Sequence, residues 1–400
     1  MLQLNALNTR GKIFKLLNLS VPVLMGIFIF LNPFPHITSL KEACFYGSVI
    51  ITLILACFRK IDFSFKSPLT LPFALFFIWV FIGLFFALDK GGSIHDFRTH
   101  LLKYIVFYYI LINYFNSSNR LVYLSWIVIF SSAIFSAGEI IYFYAMLGNT
   151  LSTKLVTGIA EVPVNLIGFF AVPAAIFSFH NIITDNNLRI KIISLLCLLP
   201  ISILCFLTQT RSTVLALFLS VIILCFKNKK ILVVCLGILF IATAMSPIKD
   251  RITNGDLIRA LRLGIHYTTL QVIKDFPIMG IGFGMETYGN GEFFDLKKYN
   301  KKVPEKYRGY IYTDPHSMPF SIAVRTGLIG LAFFLNILFV TFMMGWRCIR
   351  QGKDDDWARS LISAVVAVLV IGFFEPSFSH VPEVVIYTLL AMMTIVFIKE

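Results

Sequence analysis

Charge is scarce in this sequence. Only 14% of its residues are Asp, Glu, Lys or Arg, against about 25% in a typical soluble domain. That is too little polar surface to clothe a water-soluble globule of this length. Acidic residues are the scarcest: 21, against 35 Lys and Arg. No group of carboxylates has a pattern suited to holding Mg²⁺. The seven cysteines (Cys44, Cys57, Cys197, Cys205, Cys225, Cys235 and Cys348) fall in apolar runs or at a basic helix end, without zinc or disulfide spacing. They read as apolar filler. No small-residue cleavage site follows the basic start, so the expectation is a retained first helix rather than a signal peptide. No repeat of roughly 20–50 residues and no disordered tail is apparent.

What is abundant is apolar. Hydrophobic residues make up 58% of the chain, 41 of them Phe, and the mean hydropathy is +0.82. Continuous apolar runs near the length that crosses hydrocarbon, about 20 residues, recur along the chain. They do not alternate, and a backbone in lipid must satisfy its own hydrogen bonds, so they read as helices. The fold class expected is an all-α membrane protein with about 12 transmembrane helices and one large structured periplasmic loop. The spans predicted are 16–34, 40–58, 70–88, 102–116, 121–147, 165–180, 190–207, 212–226, 231–247, 318–345, 360–375 and 382–398.

The net charge of +14 would suggest nucleic acid in a soluble chain. Here the placement of the cations excludes that reading. Every second connection is short and basic: Arg10, Lys12 and Lys15; Arg59, Lys60 and Lys66; Arg120; Arg189 and Lys191; Lys227, Lys229 and Lys230; Arg347, Arg350, Lys353 and Arg359. The positive-inside rule then puts both termini in the cytoplasm. The organisation expected is helices 1–9 over 1–247, a loop over 248–317 that caps the helices, and helices 10–12 over 318–400. Within the loop, 256–274 has an amphipathic helical period, with Asp256 as N-cap and Asp275-Phe276-Pro277 as stop. Ile258, Leu261, Ile265 and Val272 form its apolar stripe, and Arg259, Arg262, His266 and Thr269 a polar one. Such a helix can lie on a membrane with its cations toward lipid headgroups.

Few residues on the outward side carry obvious chemistry. Arg211, in Thr208-Gln209-Thr210-Arg211-Ser212, lies in a turn too short to reach far into water; a charge at that depth points to function, although an Arg can also snorkel to headgroups. Arg259, Arg262 and His266 offer planar forks suited to phosphate oxygens, or a plain solvated face. His316, in Thr313-Asp314-Pro315-His316-Ser317, can take a proton near neutral pH, or serve as a cap. The Gly-rich stretch Gly280–Gly284 follows a helix, not a strand, so it reads as a tight turn rather than a phosphate loop. Glu139 is expected to be structural. Glu375 ends the eleventh span, where a carboxylate could orient a His or hold an Arg. The run 297–308 has six Lys or Arg; it reads as a solvated basic face, or as a surface that attracts anionic groups.

Three of these motifs together resemble the O-antigen ligases of Gram-negative bacteria, within a wider ligase and polymerase superfamily. FLTQTRSTVLAL is similar to that family's arginine turn, RLGIHYTTLQVIKDFPIMGIGFG to its second arginine motif, and DPHSMPFSIAVRTGLIGL to its histidine motif. Asp314-Pro315 before the histidine and Ser317 after it depart from the usual His or Pro and Asn. The resemblance implies a metal-independent inner-membrane glycosyltransferase without cofactor, its active site periplasmic. Its donor would be O-antigen on undecaprenyl diphosphate and its acceptor a hydroxyl of the lipid A-core oligosaccharide. By the match, Arg211 and Arg262 would hold the diphosphate and His316 would act on the hydroxyl, with Arg259, His266 and Glu375 as binding residues. An O-antigen polymerase is the nearest alternative. A transporter or flippase is the second, but those tend to carry ionisable groups near the midplane.

Overall fold

The computed structural model describes residues 2–155, 158, 162–245, 256–309, 311–352, 354–375 and 379–398, with side chains for all of these except 2–11 and 256–261. Among the described residues there is no strand. The helices are α1 (Leu2–Phe30), α2 (Thr38–Cys57), α3 (Thr70–Gly83), α4 (Lys90–Asp96), α5 (Lys103–Tyr114), α6 (Ser118–Ile140), α7 (Val164–Thr184), α8 (Leu188–Leu207), α9 (Arg211–Cys225), α10 (Lys229–Met245), α11 (Asp256–Asp275), α12 (Leu296–Asn300), α13 (Met318–Gln351), α14 (Asp355–Phe374) and α15 (His380–Ile398). Wide π turns join α4 to α5 and extend α6.

Each of the twelve predicted spans falls on one of these helices, but among the described residues eight stretches are long and apolar enough to cross a membrane. The shortfall is one of length. With its 14 residues, α3 rises only about 21 Å, against about 30 Å of hydrocarbon; α9 has 15 residues, α5 has 12 and α10 has 17. The chain is therefore a multi-pass helical membrane protein in which some helices do not span alone.

Burial separates inner from outer helices. The spans of α7 and α15 are buried along most of their length, while those of α1, α2 and α8 are mostly exposed and α10 buries nothing. Their outward faces are apolar: Leu196 and Leu199 on α8, and Val233, Phe240 and Met245 on α10. A water-soluble monomer rarely exposes so much contiguous apolar surface; lipid accounts for it. Between helices, serine hydroxyls reach neighbouring backbones. Ser131 donates to the Phe30 carbonyl at 2.6 Å, and Ser363 to that of Ser220 at 3.1 Å. Such small polar residues allow close helix approach.

The segment between α10 and α13 packs on one end of the bundle. In α11, Ile265 and Val272 are buried as the apolar stripe requires, and the helix ends at Asp275 before Pro277. Asp256, Ile258 and Leu261 have side chains outside the described residues. Thr269 corrects the polar stripe: it is buried, bonded to the Ile265 carbonyl and the Tyr288 hydroxyl. The glycine-rich stretch after α11 is a brace against α13. At Gly327, φ 71° breaks the helical path of α13. There Leu328 N donates to the Pro277 carbonyl at 2.7 Å and Ile281 N to that of Val324 at 2.8 Å. No Cβ fits at Gly327 against the Ile278 carbonyl, nor at Gly280 (φ 69°) against that of Val324. Gly284 N and Met285 N donate to Ser93 Oγ and Asp96 Oδ2. With its amides spent on the protein, this loop has few left to cradle a phosphate.

Candidate functional site

The arginine turn closes α8 and opens α9. The Thr208 hydroxyl bonds back to the Cys205 carbonyl at 2.8 Å. Gln209 takes the left-handed conformation, φ 50°, uncommon for a residue other than Gly, and the chain re-enters helix at Arg211. This reversal buries Thr210 and Ser212 and leaves Arg211 exposed at the first turn of α9, where unpaired amides and the helix dipole also favour an anion.

Arg211 lines a cavity of about 480 Å³ together with Arg262, His266 and Glu375. These residues come from three separate parts of the chain. Glu375, at the end of α14, is 2% exposed and faces both Arg262 and His316. Its Oε1 accepts from Arg262 Nη2 at 3.1 Å, and its Oε2 lies 3.8 Å from His316 Nδ1. The second distance is too long for a hydrogen bond, but it sets the carboxylate facing the imidazole. Arg262 also stands over the Phe374 ring, 5.6 Å from its centroid, so its fork is held on two sides.

His316 too is left-handed, φ 47°, a conformation that costs on the order of 1–3 kcal/mol outside Gly. Asp314 sustains it: its Oδ1 accepts from His316 N at 2.7 Å. The departure at Asp314 thus has a local role, turning the imidazole toward Glu375 just before α13 begins. Tyr312 packs edge-on to the ring, centroids 5.4 Å apart. His266 meets Phe320 edge-on at 5.0 Å. Burial pushes its pKa below the usual 6.5, helped by the Arg262 and His316 charges, so it is neutral at pH 7.

Of the residues singled out from the sequence, Arg211, Arg262, His266 and Glu375 share one cavity, and His316 joins them through Glu375. Arg259 lies one turn before Arg262 on α11, and its side chain is outside the described residues. Glu139 is buried against Gly158, in keeping with a structural role. The lysines of 297–308 are exposed, and Lys302 pairs with Asp275 at 3.3 Å. Sequence reasoning missed Lys154, which lines the same cavity; nothing in its outward loop distinguished it.

Among the described residues, one group could bring metal ligands together: His100, His380 and Glu383, with ligand atoms within 4.8 Å of one another. His100 Nδ1 is already 2.6 Å from Glu383 Oε2, and His380 Nδ1 is 3.0 Å from the Tyr104 hydroxyl. The charges of Lys103 and Arg325 act on Glu383 and oppose a further cation there. This group reads as a buried polar joint. The cavity, by contrast, is lined by two guanidinium groups, with an imidazole facing a carboxylate at its edge, an arrangement suited to an anion and to proton transfer.

Comparison with protein families finds a match, at residues 195–335, to the family described as O-antigen ligase. It spans the arginine turn, α11, the brace and His316, and it bears out the resemblance carried by the three motifs. Comparison with curated proteins finds no match. The chain is thus a multi-pass helical membrane protein whose residues 195–335 are similar to the O-antigen ligase family.

Proposed function

With residues 195–335 matching the O-antigen ligase family as premise, we propose that this protein transfers O-antigen polysaccharide from undecaprenyl diphosphate to a hydroxyl of the lipid A-core oligosaccharide. It does so at the periplasmic face of the bacterial inner membrane, with both termini in the cytoplasm. The observation that carries the reading is the convergence of Arg211 and Arg262 on one cavity, with Glu375 bridging Arg262 to His316.

The acceptor oxygen attacks the anomeric carbon while its proton passes to His316. The bond from that carbon to the diphosphate oxygen breaks, and the electron pair leaves with the diphosphate. The developing charge is met by the guanidinium groups of Arg211 and Arg262 at the rim of a low-dielectric body, where such stabilisation is strongest. Glu375 offsets the positive charge gained by His316 and holds Arg262 in place, much as a carboxylate orients a catalytic histidine elsewhere. General-base help of this kind contributes about 10²–10⁴-fold.

The test is reconstitution: purified full-length protein, polymer-bearing undecaprenyl diphosphate and rough lipopolysaccharide, without nucleotide. Capped lipopolysaccharide is the expected product. Elongation of a second lipid-linked chain in place of capping would identify a polymerase. Movement of the lipid-linked glycan across the bilayer without any new glycosidic bond would identify a flippase.

A further inference from the structure

The basic run 297–308 is a built surface. Asp295 caps the short α12 by accepting from Lys297 N at 3.0 Å, and Leu296, Tyr299 and Val303 are buried beneath the run. Arg308 closes it on itself, donating from Nε and Nη2 to the Val303 carbonyl at 3.3 and 3.2 Å. Asn300 and Tyr307 fasten it to α11. Asn300 is buried; its Nδ2 donates to Thr268 Oγ1 at 3.3 Å and its Oδ1 accepts from Gly309 N at 2.9 Å. The Tyr307 carbonyl presses on Gly264, where an added Cβ would lie 2.6 Å from it.

This mounting presents a pair of tyrosines edged by lysines. Tyr307 stacks on Tyr267 of α11, with ring centroids 5.6 Å apart and planes 20° from parallel. The Lys306 ammonium stands 4.7 Å from the Tyr307 centroid. Lys297, Lys298, Lys301 and Lys306 are exposed along the run. Tyr267 is itself exposed and comes four residues after Leu263, which lines the cavity with Arg262 and His266. Residues four apart are neighbours on one helix face. The tyrosine pair therefore continues the rim of the cavity.

An anionic sugar fits both parts of this surface. The apolar face of a sugar ring can cover a tyrosine, which offers a large contact area at small entropic cost. Phosphate groups on the sugar meet the ammonium groups in charge-assisted bonds. A bilayer surface fits less well. Segments that lie on lipid insert apolar side chains beside their cations, whereas the leucine and the valine of 296–308 are both buried.

We propose that Tyr267, Tyr307, Lys301 and Lys306 form a binding surface for a phosphorylated saccharide and hold the acceptor beside the cavity. Its assignment to the acceptor rests on the function proposed above; the recognition of an anionic sugar does not.

The experiment measures binding of deacylated rough lipopolysaccharide, before and after removal of its phosphates, to full-length protein in phosphatidylcholine nanodiscs. Ionic strength is held constant because exposed charge contacts are screened by salt. Wild type should bind the phosphorylated form about tenfold more tightly. Lys301→Gln combined with Lys306→Gln should remove that preference, and Lys301→Arg combined with Lys306→Arg should keep it. Tyr307→Leu should weaken both forms by about threefold and keep the preference. In reconstituted transfer, the double glutamine variant should raise KM for the acceptor and leave kcat near wild type, as expected of binding away from the reacting atoms. Equal binding of the two forms by wild type, or an unchanged preference in the double glutamine variant, overturns the proposal. So does a loss seen only as weaker attachment to phosphatidylglycerol vesicles, which would assign the lysines to the bilayer. An unchanged KM removes the surface from acceptor binding. If wild type prefers the phosphorylated saccharide but forms no capped lipopolysaccharide, the surface stands and the function proposed above falls. If capping proceeds without any such preference, only the surface falls.

Discussion

Two clusters of ionisable residues stand out in this protein, and both combine cations, histidine and carboxylate. One contains Arg211, Arg262, His266, His316 and Glu375. The other contains Glu42, Lys103, His100, Glu383, Asp96 and Arg325. In the second, Lys103 Nζ lies 2.5 and 2.7 Å from the two oxygens of Glu42, His100 lies 2.6 Å from Glu383, and Asp96 accepts from Met285 N at 2.6 Å. His100, Lys103, Glu383 and Arg325 are each less than 10% exposed. In the first cluster, Arg211 is exposed, and Arg262 and His316 are about a third exposed around a cavity. The difference shows that a charge placed deep in a membrane protein is not by itself a site. The closed cluster spends its charges on one another and joins α2, α5, α13 and α15. The open one directs them at a space.

The sharpest way to break this comparison is to remove the open cluster's reactive groups. Arg211→Ala, Arg262→Ala and His316→Ala should each lower transfer by about 10²-fold or more while the protein still inserts and melts near wild type. Full activity in any one refutes that residue's role. Arg→Lys at either position should recover little, since a single ammonium cannot replace a fork.

The closed cluster should behave in the opposite way. Lys103→Met leaves the Glu42 carboxylate without its partner, and Glu383→Leu removes the carboxylate beside His100. Breaking a buried pair from one side costs on the order of 3–5 kcal/mol. Thermal melting in detergent should show that loss, while transfer per folded molecule stays close to wild type. A selective loss of transfer at normal stability would merge the two clusters into one functional unit.

A smaller effect is expected at Glu375. Glu375→Gln keeps the shape but removes the charge that pairs with Arg262 and faces His316, and should lower kcat/KM about tenfold, a change of about 1.4 kcal/mol. Its signature is that loss at a melting temperature close to wild type.

The smallest effect concerns His266. Its pKa is depressed in the folded protein, so below about pH 6.5 the unfolded chain binds the extra proton first. Stability at this position is therefore fully present above that pH and declines as pH falls toward the folded pKa. His266→Asn should flatten this acid limb in a pH-dependent melt and leave the neutral-pH melting temperature nearly unchanged.

Much of this molecule is legible in one dimension. Long apolar runs mark the helices because lipid leaves a backbone no other way to satisfy its amides. The amphipathic period of α11 and its stop at Asp275-Phe276-Pro277 follow from local chemistry, as does the exposed Arg211 in a turn between apolar runs. The motifs also put Arg211, Arg262 and His316 forward as candidates, and the end of the eleventh span puts forward Glu375.

Other features exist only once distant segments meet. The length of α3 and α9, set by where neighbours and turns end them, decides which helices cross alone. Thr269 has a polar side chain at a polar-stripe position, yet Tyr288 covers it. Gly280 and Gly327 look unrelated in sequence, and their requirement for glycine appears when one backbone presses on the other. Lys154 is one lysine among many until the fold brings it to the cavity that Arg211 lines. Local periodicity and side-chain type determined what could be a helix and what could bind an anion. Which charges were buried among one another and which line a cavity was decided by packing, because that depends on distances between residues that the chain order does not constrain.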